Sequence, residues 1–173
     1  MSASEIEPTL IRLAHEIVEK NNGTENLVLV GIRRRGVPLA QRLGKLIQRI
    51  ENTPIPVGTL DITLYRDDLS MVDLKPIVQQ KSIGVPVTDK DILLVDDVLY
   101  TGRTTRAGMD ALFEHGRPRR VQLCVLIDRG HRELPIDASF VGRKVQTSRS
   151  EIIEVKLAEI DNVDKVLLVE KED

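Results

Sequence analysis

Residues 92–105 read Ile-Leu-Leu-Val-Asp-Asp-Val-Leu-Tyr-Thr-Gly-Arg-Thr-Thr, and this run leaves few folds open. The apolar stretch Ile92–Val95 suits a strand buried on both faces, as in a parallel sheet. Two adjacent carboxylates, Asp96 and Asp97, follow where open α/β sheets bind ligands, at the strand's carboxyl end. The turn Thr101–Thr105 then opens a helix and offers backbone N–H groups and hydroxyls to an anion. An Asp-Asp pair before a Thr-Gly turn also serves as a plain helix cap, but the arrangement is longer than capping requires.

The remaining chain repeats the alternation. Ser4 and Glu7 have capping-box spacing, with Pro8 early in the helix that follows. Leu10, Leu13, Ala14, Ile17 and Val18 have helical spacing, and Asn21-Asn22-Gly23 closes that helix. A short strand is expected over Leu27–Gly31, and a helix carrying Leu39, Leu43, Leu46, Ile47 and Ile50 after a basic turn. Pro54–Thr63 returns as a strand, and Leu64–Lys90 reads as an exposed hairpin or a long loop. A helix follows the Thr/Gly turn to about His115, then a buried strand over Val121–Ile127. Phe140–Val141, Ile152–Leu157 and Val163–Val169 read as shorter terminal strands. Alternating strands and helices predict a mainly parallel sheet flanked by helices, with right-handed crossovers.

Composition agrees with one domain over 1–173. The 173 residues suffice for a substantial core, and with aromatics at 2% that core must rest on aliphatic side chains. Lys+Arg at 25 against Asp+Glu at 27 gives a formal charge of −2, so overall charge does not announce nucleic acid, although a local basic patch is compatible with it. The single cysteine, Cys124, sits in an apolar run and reads as a buried thiol. No apolar run approaches the roughly 20 residues of a membrane span, and no signal-like segment is seen, so a reducing cytoplasm is the expected address.

A second loop carries phosphate chemistry. Gly31-Ile32-Arg33-Arg34-Arg35-Gly36 sets three forked donors between glycines just before a helix. Standing alone, it would read as a solvated basic turn.

Together the two loops resemble the type I phosphoribosyltransferases, whose fold adds a flexible loop and a small hood to the central sheet. The resemblance implies that Asp96 and Asp97 hold the ribose hydroxyls of phosphoribosyl pyrophosphate (PRPP), with Asp97 also placed to act as a base. Thr101, Gly102, Arg103, Thr104 and Thr105 would hold the 5′-phosphate, and Arg33, Arg34, Arg35 and Gly36 the pyrophosphate. The string from Leu60 to Leu69 looks like the start of the loop that closes over PRPP, with Arg66 reaching pyrophosphate; an ordinary charged hairpin is the alternative. Asp128 and Arg129 fall where the family places its nucleobase pocket. The implied reaction displaces pyrophosphate at the anomeric carbon through an oxocarbenium-like transition state. Mg2+ would bridge pyrophosphate and ribose oxygens, reaching the protein, if at all, through Asp96 and Asp97.

The strings Asp61–Leu69, Asp91–Thr105, Ile127–Ile136 and Thr147–Ile152 narrow the resemblance to the bifunctional pyrimidine-operon regulators. These convert uracil and PRPP to UMP and pyrophosphate. They also bind a stem-loop in pyr leader mRNA, more tightly with UMP or UTP, and they form homodimers or homotetramers. Five basic residues against two acids between Arg129 and Arg149 leave that segment at +3, and Arg12 and His15 share a face of the first helix. Residues matching the RNA contacts are Arg12, His15, His131, Arg132 and Arg143, whereas Asp137 and Ile11 depart from the pattern. The alternatives are a uracil enzyme without RNA binding, a purine phosphoribosyltransferase, and an RNA regulator whose PRPP site is mainly a sensor.

Overall fold

The computed structural model describes residues 1–65 and 82–172. Helix α1 (Ala3–Lys20) precedes β1 (Leu27–Ile32), α2 (Gly36–Glu51) and β2 (Val57–Leu60). A 3-10 turn (Thr63–Tyr65) follows, then β3 (Asp91–Leu99), α3 (Arg103–Phe113), β4 (Arg120–Asp128) and β5 (Phe140–Lys144). The chain ends with β6 (Glu151–Lys156), α4 (Ala158–Asp161) and β7 (Lys165–Glu170).

Strands β1 to β5 form one parallel sheet in the order β2-β1-β3-β4-β5. The period of two along a strand sorts the core into two layers. Leu27 and Leu29 of β1, with Leu93 and Val95 of β3, pack against Leu10, Leu13, Leu39 and Leu43 of α1 and α2. Val28, Val30, Ile92 and Leu94 face Ala107, Ala111 and Leu112 of α3 on the other side. Both faces are covered, so these strands are continuously apolar. Cys124 belongs to the first layer, and burial pushes its thiol up to about 12.

Several boundaries differ from the sequence reading: the strand expected over Pro54–Thr63 is confined to Val57–Leu60, and α3 ends at Phe113 rather than near His115. The amino-terminal cap is Ser2, whose N–H donates to the Glu5 carboxylate at 3.2 Å, two residues before the Ser4–Glu7 pairing expected from spacing. Both pairs fit the box, and the chain takes the longer helix, with Ile6 buried in its first turn. Strand β3 does not stop at Val95. It runs on through both aspartates to Leu99, because β4 continues to pair with it as far as Asp128.

Strands β6 and β7 pair antiparallel as a separate hood. The amino terminus is stitched to it: the Met1 ammonium donates to the Val166 carbonyl at 2.9 Å, and the Val166 N–H returns a bond to the Met1 carbonyl at 2.8 Å.

Candidate active site

Strand β1 is followed in space by β2 on one side and by β3 on the other. The chain's crossovers therefore diverge between β1 and β3, and a crevice opens at their carboxyl ends, where doubly wound sheets bind ligands. The loop Arg33–Arg35 leaves β1 there, and Asp96 and Asp97 reach the same end of β3. Gly36 permits the approach: a Cβ at this position would collide with the Val95 carbonyl. A cavity of about 580 Å³ results, lined by Arg33, Arg34, Arg35, Asp96, Asp97 and Thr104.

The two aspartates differ. Asp96 is 7% exposed, and its carboxylate accepts the Asp97 N–H at 2.8 Å. Burial first, and the Asp97 charge second, push the Asp96 carboxyl well above the usual carboxylate range. Asp97 is half-buried and accepts the Val98 N–H at 2.9 Å.

The turn over 101–105 joins β3 to α3. Gly102 takes φ +96°, a left-handed conformation suited to glycine, and its carbonyl accepts the Arg106 N–H at 3.0 Å as α3 begins. The Thr101 hydroxyl accepts the Arg103 N–H at 3.2 Å. Thr105 is buried in the first turn of α3. From outside, the Thr101 carbonyl is held by the N–H groups of Glu133 and Leu134 at 2.8 and 3.2 Å, and Arg103 pairs with Glu133 at 3.4 Å.

At the end of β4, Asp128 and Arg129 are both buried, and all but the Arg129 Nε of the polar groups described below are engaged with protein. The Asp128 carboxylate accepts Arg132 at 2.8 Å and the Gly130 N–H at 3.0 Å. Burial pulls its acidity one way, and these donors overcome it and hold the carboxyl below its ordinary value. Arg132 also donates to the Tyr100 carbonyl at 2.9 Å and the Ile136 carbonyl at 2.8 Å. Arg129 donates to the Ser148 carbonyl at 3.0 Å and stacks on Tyr100. His131, at φ +64°, bonds the Thr147 carbonyl through Nε2 at 2.6 Å. Asp128, Arg129, His131, Arg132 and Asp137 line a second cavity of about 600 Å³.

A third cavity of about 440 Å³ lies beneath β6, lined by Arg35, Asp97, Ile153, Glu154, Val155 and Asp161, among others. It shares Arg35 and Asp97 with the cavity between β1 and β3. Asp161 had no local signal in the sequence; it meets Arg35 across 126 residues.

The basic residues matched to RNA contacts fall in two groups. Arg12 on α1 donates to the Val141 and Gly142 carbonyls of β5 at 3.4 and 2.5 Å and pairs with Glu16 at 2.7 Å. His15 is exposed one turn along, and Arg143 pairs with Glu5 of α1 at 2.9 Å, so these three residues share the α1–β5 side. His131 and Arg132 belong to the loop after β4, and Asp137 stands 3.6 Å from Arg132. Arg66 lies outside the described residues.

The profile of the phosphoribosyl transferase domain family matches residues 2–160. The chain belongs to the phosphoribosyltransferase family. It is 58% identical over 172 residues to a protein of Thermus aquaticus named Bifunctional protein PyrR, covering 99% of this chain and 95% of that one. It is 60% identical over 163 residues to the protein of the same name from Alkaliphilus metalliredigens, covering 94% and 90%. Within the family it is thus a member of the PyrR group. A hypoxanthine phosphoribosyltransferase from Staphylococcus aureus superposes with a TM-score of 0.73 at 22% identity, covering 98% of this chain and 89% of that one. The corresponding enzyme of Trypanosoma cruzi gives 0.72 at 16%, covering 99% and 95%. These share the type I phosphoribosyltransferase fold. Among the described residues no helix is long and apolar enough to cross a membrane, and no group of three or more His, Cys, Asp or Glu is arranged to hold a metal ion.

Proposed function

We propose that the chain, working as one domain over 1–173, transfers the phosphoribosyl group of PRPP to uracil and regulates pyrimidine-biosynthesis genes by binding pyr leader mRNA. The observation that carries the enzymatic half is the cavity between β1 and β3, where three arginines face two aspartates beside a helix amino terminus. Its polarity matches a sugar flanked by a pyrophosphate on one side and a phosphate on the other.

In this reading Arg33 and Arg34 bind the pyrophosphate and stabilise the charge it gains on leaving. Thr101–Thr105 hold the 5′-phosphate, fixing the ring so that the anomeric carbon faces the base. Asp96 and Asp97 orient the ribose hydroxyls, and Asp97 is the nearer to solvent and the better placed to take a proton. The oxygen donors of Asp96 and Asp97 suit Mg2+, which supplies charge neutralisation on the pyrophosphate when bound. Arg66 is assigned to the pyrophosphate from its sequence match alone.

The cavity beneath β6 is the better seat for the base. It shares Arg35 and Asp97 with the phosphate cavity, whereas the cavity after β4 shares no lining residue with it. Asp128 and Arg129 then act by bracing Tyr100, one through Arg132 and the other by stacking.

The RNA half rests on 58% identity to proteins named as bifunctional and on the basic groups of the α1–β5 side and the loop after β4. UMP or UTP in the nucleotide site would tighten that binding. A cytoplasmic homodimer or homotetramer belongs to the same reading, and sedimentation measures the assembly.

Two assays test the proposal. Purified protein with PRPP and Mg2+ is expected to convert uracil but not hypoxanthine, and Asp97→Asn to lose transfer by about 100-fold or more while melting as the wild type does. Preference for hypoxanthine would overturn the base assignment. A gel shift with the host's pyr leader, tighter with UMP, tests the regulatory half; no shift at low salt leaves a salvage enzyme only.

A further inference from the structure

We infer that Asp161 is a positioning residue for the pyrophosphate loop and acts through Arg35; the inference rests on the phosphoribosyltransferase reading above. The three arginines of the loop are not equivalent. Arg33 and Arg34 make no ion pair with the described residues, so their guanidinium groups are free to take a ligand. Arg35 is engaged at two points by Asp161, Nε to Oδ2 at 3.2 Å and Nη2 to Oδ1 at 2.8 Å. This fork-to-fork geometry fixes direction as well as distance.

Asp161 is itself oriented. Its Oδ2 also accepts the Leu157 N–H at 2.8 Å, so the short helix α4 sets where the carboxylate points. The Arg35 hydrogen bonds hold that carboxyl below its usual range. Asp161 is not what keeps the hood in place. Arg42, two turns along α2, donates to Glu159 at 3.0 Å and to Asp164 at 3.0 and 2.8 Å, and the Asp164 carboxylate accepts the Ala158 N–H at 2.7 Å. The Arg42 contacts dock residues 158–164 on α2 with or without Asp161.

Asp161 therefore has a separate consequence. It holds the Arg35 guanidinium in the wall common to the phosphate cavity and the cavity under β6. Arg35 is the last residue before α2, so fixing its side chain fixes the end of the loop that carries Arg33 and Arg34. The pair preorganises two pyrophosphate donors without itself giving up a donor to the ligand.

The test is a double-mutant cycle read in PRPP binding and in steady-state kinetics. Asp161→Asn is expected to raise KM for PRPP and weaken PRPP–Mg2+ binding by about tenfold while kcat stays within about twofold. Arg35→Gln should match it, and the double variant should be no worse than the weaker single, because Asp161 acts only through Arg35. Arg35→Lys, which keeps the charge and loses the fork, should fall between wild type and Arg35→Gln. Asp161→Asn combined with Arg34→Gln should fall short of the product of the two, because Arg34 is one of the two donors that the pair preorganises. Unchanged PRPP affinity in Asp161→Asn, or a multiplicative Arg35→Gln/Asp161→Asn pair, would overturn the inference. PRPP binding by calorimetry needs no base, so a wild type that binds PRPP but does not use uracil refutes the uracil assignment and leaves the cycle readable. A wild type that binds no PRPP overturns both.

Discussion

The guanidinium of Arg129 lies 3.9 Å above the ring of Tyr100. The contact ties the end of β4 to the residue just before the Thr101–Thr105 turn. Arg129 is 6% exposed and its Nε is buried without a hydrogen-bond acceptor, so the aromatic face does much of the work of water around that cation. A desolvated cation on an aromatic ring is worth about 2 kcal/mol. Tyr100→Leu is expected to destabilise by about that amount in urea denaturation, and Tyr100→Phe to stay near wild type. Equal losses in both variants would assign the effect to the hydroxyl instead.

Gly36→Ala is expected to cost more than an ordinary surface change. Its Cβ meets the Val95 carbonyl, backbone against backbone, so neither side yields by a rotamer change. A loss of at least about 2 kcal/mol is expected, together with weaker PRPP binding as the arginine loop moves off β3. Thermal melts and calorimetry check the two effects separately.

Asp96 makes stability depend on pH. Burial and the Asp97 charge raise its folded pKa above the ordinary 3.8, so the folded state binds its proton more tightly than the unfolded chain. Stability from this group is therefore lost as pH rises from 3.8 through the folded value. Asp96→Asn carries no such cost. It should be more stable than wild type at about pH 7, with the advantage shrinking toward about pH 4 in denaturant titrations. An advantage independent of pH would contradict this account.

Under the proposed RNA role, RNA on the α1–β5 side competes with acids for two arginines, Arg12 being paired with Glu16 and Arg143 with Glu5. Arg143 and the Ser2 groups hold the Glu5 carboxyl down to about 2, so Glu5 is charged wherever RNA is studied. Arg143→Ala and Arg12→Ala should each weaken leader binding and lower the log–log salt slope by about one. Glu5→Gln removes the anion that pairs with Arg143 and should tighten binding, read by gel shift across a salt series. Looser binding in Glu5→Gln would mean that the acid positions Arg143 rather than competing for it.

The alternation of strands and helices was legible from periodicity alone, because strands buried on both faces must be continuously apolar and their covering helices amphipathic. The clustering of Asp96, Asp97 and Thr101–Thr105 at one sheet edge was legible for a similar reason: a strand end, a turn and a helix start are contiguous in one short string. The length of β3 was not, because two carboxylates resemble a strand's end until β4 is known to pair beside them through Asp128.

By itself, then, the sequence determined most of the local elements and the family to which the strings around Asp96–Thr105 belong. Only the tertiary structure decided which groups meet. The order β2-β1-β3-β4-β5 puts the arginine loop beside the aspartates, although about 60 residues separate them in the chain. Folding also commits Arg132 to the Tyr100 carbonyl, and the docking of α4 commits Arg35 to Asp161. A guanidinium in a sequence is only a donor; its role is set by the acceptor that folding brings within about 3 Å.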